Sequence, residues 1–182
     1  MPLYQVIILA TAQGLTEFLP ISSTAHLALI PWLFHWKDPG LAFDVALHIG
    51  TLVAVLIYFF RTWIDLLVVG FGGQPVFVEE GIPSDIAANR SLLWYLVLGT
   101  IPAGVAGWMF HEQVETTWRQ PLVIAVAMIG VALIMAWGEK AGSQKKGLSE
   151  VTLFDSICVG IAQAFALIPG VSRSGITITG GM

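Results

Sequence analysis

AQGLTEFLPISSTAHLALI, residues 12–30, is apolar enough to sit in a membrane and too interrupted to cross one as a single helix. Pro20 removes a backbone donor and clashes with the turn before it, while Ser22, Ser23 and Thr24 are residue types that cap a new helix. AQAFALIPGVSRSGITITGG, residues 162–181, follows the same plan with a one-residue gap. Each has Ala-Gln, a short apolar run, a proline six or seven residues after the glutamine, and a Ser-rich turn reopening into an apolar helix.

The surrounding chain identifies the medium. Of 182 residues 56% are apolar and 11% charged, with a mean hydropathy of +0.81; ordinary globular domains have about 45–50% apolar and about 25% charged residues. A soluble domain is excluded, and 19 Gly with 9 Pro suit packed membrane helices. At about 20 residues per helical span, length alone allows roughly five to seven membrane segments; treating the two interrupted stretches as re-entrant lowers the full spans to three or four. Eight Lys+Arg against twelve Asp+Glu, net −4, with no basic cluster, argue against nucleic acid as a partner. The single cysteine, Cys158, permits neither an intrachain disulfide nor a thiolate metal cage and reads as an inert buried thiol. No basic residue precedes Lys37, and Gln13 and Glu17 interrupt the first apolar run. A cleavable signal peptide is therefore not expected, and the N-terminus is expected to belong to the mature protein.

Three uninterrupted apolar stretches, 41–60, 91–110 and 121–138, lie between the two broken ones and predict three spanning helices. In the first, Asp44 and His48 are four apart and share one face, as a helix-start pair toward the bundle. In the second, Pro102 lies inside; in the third, Pro121 suits the first helical position. Residues 61–90, an interfacial RTWIDLLVV followed by FGGQPVFVEEGIPSD, predict an extramembrane loop. HEQVETTWRQ joins the second and third spans, and EKAGSQKKGLSE, 139–150, is the most polar stretch. The fold expected is all-α: one polytopic membrane helical bundle with two inverted-repeat re-entrant hairpins, residues 1–36 and 151–182, the second incomplete. An odd number of intervening spans makes the two enter from opposite faces, and such broken helices meet near the midplane to form a site. Arg61, Arg90, Lys140, Lys145 and Lys146 on one side outnumber Lys37 and Arg119 on the other, which places the first set in the cytoplasm.

A helix start after a break offers free backbone N–H groups and the positive end of a dipole, an anion pocket. Ser172, Ser174 and Thr177 add hydroxyls to the second break, and Arg173 adds a guanidinium able to grip phosphate bidentately. In the first, Gln13 and Glu17 project from one face, followed by Ser22, Ser23, Thr24 and His26. Individually each has a plainer explanation: serines cap helices, Gln13 stitches helices together, His26 sits at an interface. Glu17 and Arg173 are costly at membrane depth without a purpose. Together they are equipment for phosphoryl chemistry: donors for phosphate oxygens, an acid or base, and a metal ligand.

QGLTEFLPISSTAH (13–26), FDVALHIGTLVAVLIYF (43–59), a GTIPAG turn (99–104) and PGVSRSGITITGGM (169–182) make the chain resemble the undecaprenyl-pyrophosphate phosphatase, or bacitracin-resistance, family. Gln13 and Glu17 fit the family's Glu/Gln-x-x-x-Glu signature, and residues 169–175 fit Pro-Gly-x-Ser-Arg-Ser-Gly in full. The resemblance implies a multi-pass phosphatase of the bacterial cytoplasmic (inner) membrane. Such an enzyme removes the terminal phosphate of undecaprenyl pyrophosphate, recycles the lipid carrier for peptidoglycan synthesis and confers bacitracin resistance. Its site faces outward, and a homodimer is compatible with it. By matching position it makes Glu17 the essential acid and a ligand for a divalent cation, Mg2+ or Ca2+. Ser23 and His26 become rivals for nucleophile or general acid/base, and Arg173 the pyrophosphate clamp. Gln13, Ser22, Thr24, Ser172, Ser174 and Thr177 complete the substrate site. Family members continue through further membrane helices after the Ser-Arg-Ser-Gly turn, so a chain ending at Met182 is expected to be a C-terminally truncated member.

Two rivals arise from the same features. A lipid-phosphate or anion transporter or flippase would use the same broken-helix pocket, but leaves Glu17 beside a bound anion without a purpose. A phosphatase of the phosphatidic-acid type needs a Lys/Arg-Pro signature that the sequence lacks.

Overall fold

The structure, a computed structural model, describes residues 1–77, 82–142 and 145–182, and among these helix is the only regular secondary structure. In chain order the helices are α1 (Leu3–Thr16), α2 (Ser23–Leu33), α3 (Leu41–Tyr58), α4 (Phe60–Gly70), α5 (Ile82–Ala88), α6 (Leu92–Glu115), α7 (Pro121–Ala141), α8 (Leu153–Phe165) and α9 (Arg173–Gly181). Short 3-10 turns at Thr117–Arg119 and Leu148–Glu150 precede α7 and α8.

Three helices are long and apolar enough to cross a membrane: Leu41–Tyr58, Leu92–Val114 and Pro121–Ala141. These are the three spans expected. Ile57, Trp108, Leu122, Leu133 and Trp137 stand about two-thirds exposed or more on them, a lipid-facing surface that water would not tolerate. α6 runs five residues past Phe110, because the Glu- and Gln-bearing segment that follows is itself helix-forming. GTIPAG is likewise helical rather than a turn: Pro102 lies inside α6, where it forfeits one ladder bond that a long membrane helix tolerates.

The segment read as a loop after Arg61 contains two short helices. α4 buries Asp65, Leu66 and Val69, and the latter two pack with Ile86 and Leu92 in a small apolar cluster. Asp65 Oδ1 accepts from the backbone of Val76 (2.6 Å) and Phe77 (3.1 Å), which folds the chain back after α4. Neither helix is long enough to span. The remainder of that loop and of the polar 139–150 stretch includes 78–81 and 143–144, which lie outside the described residues.

Small residues fix the second hairpin. A Cβ on Gly160 of α8 would lie 2.4 Å from the carbonyl oxygen of Gly99 in α6, and one on Gly99 2.9 Å from Ser156 Oγ. Ser156 Oγ donates to the Tyr95 carbonyl across this crossing. On the other side a Cβ at Gly138 of α7 would lie 2.6 Å from Thr179 Cγ2 of α9. Cys158, expected to be buried, is partly exposed on α8, since the buried face of that helix is the Ser156–Gly160 stripe.

Candidate active site at the meeting of two broken helices

The incoming helices end earlier than the prolines themselves. α1 stops at Thr16 and α8 at Phe165, each four residues before Pro20 or Pro169. A proline has no N–H for the carbonyl four residues back, and its ring crowds that carbonyl; the helix therefore closes one turn ahead. Phe165 gives its carbonyl to Ile168 N instead (3.1 Å). The outgoing helices start at serine caps as expected. Ser22 Oγ accepts from Ala25 N (3.4 Å) and Ser172 Oγ from Gly175 N (3.2 Å). Ser22 has φ of +62°, a left-handed conformation unusual for a side-chain-bearing residue and of the kind found at functional turns.

The two tips touch. Ser174 Oγ donates to the Leu19 carbonyl (2.9 Å) and pairs with Ser172 Oγ (3.1 Å). Gly170, at φ +98°, brings the second turn against α7, where a Cβ would meet the Ile124 carbonyl oxygen at 2.5 Å.

Glu17 is the centre of this junction. Its side chain is 12% exposed, and Arg173 Nη1 donates to Oε1 at 3.0 Å across 156 residues of chain. Oε2 accepts from Ser23 Oγ at 2.6 Å and from Gln13 Nε2 at 2.9 Å. His48 Nε2 of α3 stands 3.4 Å from the same oxygen. Its Nδ1 is 2.7 Å from the Asp44 carbonyl; a carbonyl only accepts, so Nδ1 carries the hydrogen and the ring is held with Nε2 toward Glu17.

A cavity of about 600 Å³ opens from this cluster. Glu17, Arg173, Thr24 and His48 line one part, Asp44 and Arg119 another, and Val45, Ile49, Leu52 and Val55 of α3 form an apolar wall. A smaller space of about 30 Å³ lies between the breaks, against Ser22, Ser23, Thr24, Ser172 and Arg173.

Thus Gln13, Glu17, Ser22, Ser23, Thr24, Ser172, Arg173 and Ser174 come together at the junction. Thr177 does not reach in: its hydroxyl is directed back to the Arg173 carbonyl (2.7 Å) within α9. His26 is held by its own turn, Nδ1 at 2.8 Å from the Ser22 carbonyl, and lines neither cavity. The imidazole beside Glu17 is His48 instead. Its single sequence signal was the Asp44/His48 pair, which says that the two share a face and not what the face meets. Among the described residues no three or more His, Cys, Asp or Glu side chains group to hold a metal. Gln13 Oε1 is buried beside the site without a hydrogen-bond partner.

The chain is similar to proteins named undecaprenyl-diphosphatase from Moorella thermoacetica (48% identical over 182 residues), Pelotomaculum thermopropionicum (42% over 181) and Desulforudis audaxviator (46% over 175). The matches cover 100%, 100% and 96% of this chain and 66%, 64% and 63% of those relatives, so the chain spans slightly less than two thirds of their length. The profile of a family described as "Bacitracin resistance protein BacA" matches residues 6–182. With both broken-helix motifs inside that match and their side chains meeting at Glu17, the chain belongs to the bacitracin resistance protein BacA family.

Proposed function

We propose that the complete protein hydrolyses undecaprenyl pyrophosphate to undecaprenyl phosphate and inorganic phosphate, and so confers bacitracin resistance. The observation that carries this reading is the set of contacts on Glu17: a serine hydroxyl at 2.6 Å and a guanidinium at 3.0 Å on opposite oxygens of one carboxylate. A hydroxyl nucleophile, a base for its proton and a cation for phosphate oxygens are what phosphoryl transfer requires. The relatives' shared name supports the substrate, and the apolar wall of the cavity suits a polyprenyl chain beside the head group.

In this mechanism the diphosphate enters between the two helix starts with its terminal phosphorus at Ser23, and Arg173 turns from Glu17 to the oxygens on the tail side of the bond that breaks. Arg173 is 60% exposed, so this movement frees no buried guanidinium. Glu17 takes the Ser23 proton as Oγ attacks phosphorus; the bond to the bridging oxygen breaks, and the lipid monophosphate leaves. Glu17 gives that proton to the departing lipid monophosphate, takes one from the water that then attacks the phosphorus on Ser23, and returns it to Oγ as inorganic phosphate leaves. His48 stands beside Oε2 of that carboxylate, Nε2 at 3.4 Å, and His26 has no role in the transfer.

A divalent cation completes the proposal. Mg2+ is commonly held by one or two carboxylates plus substrate phosphates and water. Glu17 as the one carboxylate, with the unpartnered Gln13 Oε1 near it, fits that mode better than the six to eight oxygens Ca2+ prefers. When bound, the ion would neutralise phosphate charge. We further place the protein in the bacterial cytoplasmic membrane with this site facing outward, on the strength of five basic residues against two in the connecting loops.

Phosphate release by the complete gene product in detergent tests the reading. Release from undecaprenyl pyrophosphate is expected; none would sink it in favour of a transporter or flippase using the same pocket.

A further inference from the structure

The cavity that Glu17 and Arg173 share contains a second arginine with no role in the steps above. Arg119, from the turn before α7, lines the same wall; its side chain is 19% exposed. Its Nη2 donates to Asp44 Oδ2 at 2.9 Å, and Asp38 Oδ2 is 3.9 Å away. One hydrogen bond leaves most of the guanidinium's five N–H donors for another acceptor. A tie between the α6–α7 turn and α3 would account for the pair alone. It does not account for the pair standing in the wall of an anion cavity.

Position along α3 gives the pair a direction. Asp44, His48, Leu52 and Val55 are successive residues of one stripe, all lining the cavity. Asp44 with Arg119 marks one end, His48 beside Glu17 the middle, and the apolar side chains the other end. Asp44 and His48 are one turn apart, about 6 Å along the axis. The contacts are continuous: Arg173 to Glu17 (3.0 Å), Glu17 to His48 (3.4 Å), His48 to the Asp44 carbonyl (2.7 Å), Asp44 to Arg119 (2.9 Å).

We propose that Arg119, braced by Asp44, is the specificity-determining grip for the outer oxygens of the terminal phosphate, by which the site distinguishes a lipid diphosphate from the monophosphate it leaves behind. The inference rests on the diphosphate reading above. With the lipid tail on the apolar end, the phosphate next to the tail reaches Arg173, and only a further phosphate extends to Arg119. Cleavage removes the group that Arg119 holds, so the monophosphate loses one of two guanidinium contacts and dissociates.

Binding of a C15 polyprenyl diphosphate and of the matching monophosphate to the complete gene product in detergent, beside phosphate release, tests this. Arg119→Gln is expected to weaken diphosphate binding at least tenfold and to change monophosphate binding less than twofold; Arg173→Gln should weaken both. Equal effects of Arg119→Gln on the two ligands, or none on either, would overturn the proposal. The Asp44→Asn, Arg119→Gln double variant leaves no unpaired buried carboxylate and gives the same comparison if the single variant fails to fold. If the wild type releases no phosphate from the diphosphate, the functional reading itself falls. Release together with unaltered ligand discrimination in Arg119→Gln removes the Arg119 assignment alone.

Discussion

Glu17 holds partners from α1, α2, α3 and α9, so its neighbours can be removed one at a time with distinct outcomes. Arg173→Ala should lower turnover at saturating substrate by about 10²–10³, the usual cost of one donor to a developing anion, while the protein still inserts and folds. Near-normal phosphate release by that variant would remove the central mechanistic claim. Ser23→Ala should abolish turnover while leaving Glu17 held by Gln13 and Arg173. His26→Ala should cost under tenfold, since its ring bonds only its own turn; a loss as large as that of Ser23→Ala would return the nucleophile to His26. Glu17 and Arg173 were legible without a structure because an ionised group at membrane depth demands a partner or a function. His48 was not. A histidine one turn after an aspartate is legible as sharing its face, but only the packing of α1 on α3 says that the face meets Glu17.

At the level of elements, the glycine crossing of α6 and α8 is the feature most sensitive to added volume. Gly160→Ala places a methyl 2.4 Å from the Gly99 carbonyl oxygen, which is backbone and cannot swing aside. A loss of about 1–3 kcal/mol is expected, read as a lower thermal midpoint in detergent. The start of α8 carries a pH-dependent contribution. Hydrogen bonds from Lys146 and then Thr152 hold the Asp155 carboxyl at about 2, below its usual 3.8. A carboxyl depressed in the folded state stabilises above its ordinary range, and that share is lost as pH falls through about 2. Lys146→Met should move the loss toward pH 3.8, seen in the acid limb of unfolding of the solubilised protein. The helices were largely visible in the apolar runs. Their ends were less so: α6 continues through a polar segment, and α1 and α8 stop a turn before the prolines that end them.

For the whole molecule, orientation is the property that connects site and biology. In a Cys158→Ser background, Lys37→Cys should react with a membrane-impermeant thiol reagent applied to intact cells, and Lys146→Cys only after permeabilisation. The reverse pattern would place the site on the cytoplasmic side. Medium, all-helical class, three spans and two broken segments were determined by the sequence itself. Hydropathy is a sum over neighbouring residues, and proline and serine act within one turn of where they stand. The tertiary structure decided which groups share an acceptor. Arg173 reaches Glu17 across 156 residues, and Arg119 reaches Asp44 across 75. Those distances depend on close helix crossings at glycine and on two turns meeting tip to tip, and no local pattern in the chain encodes the registry between them.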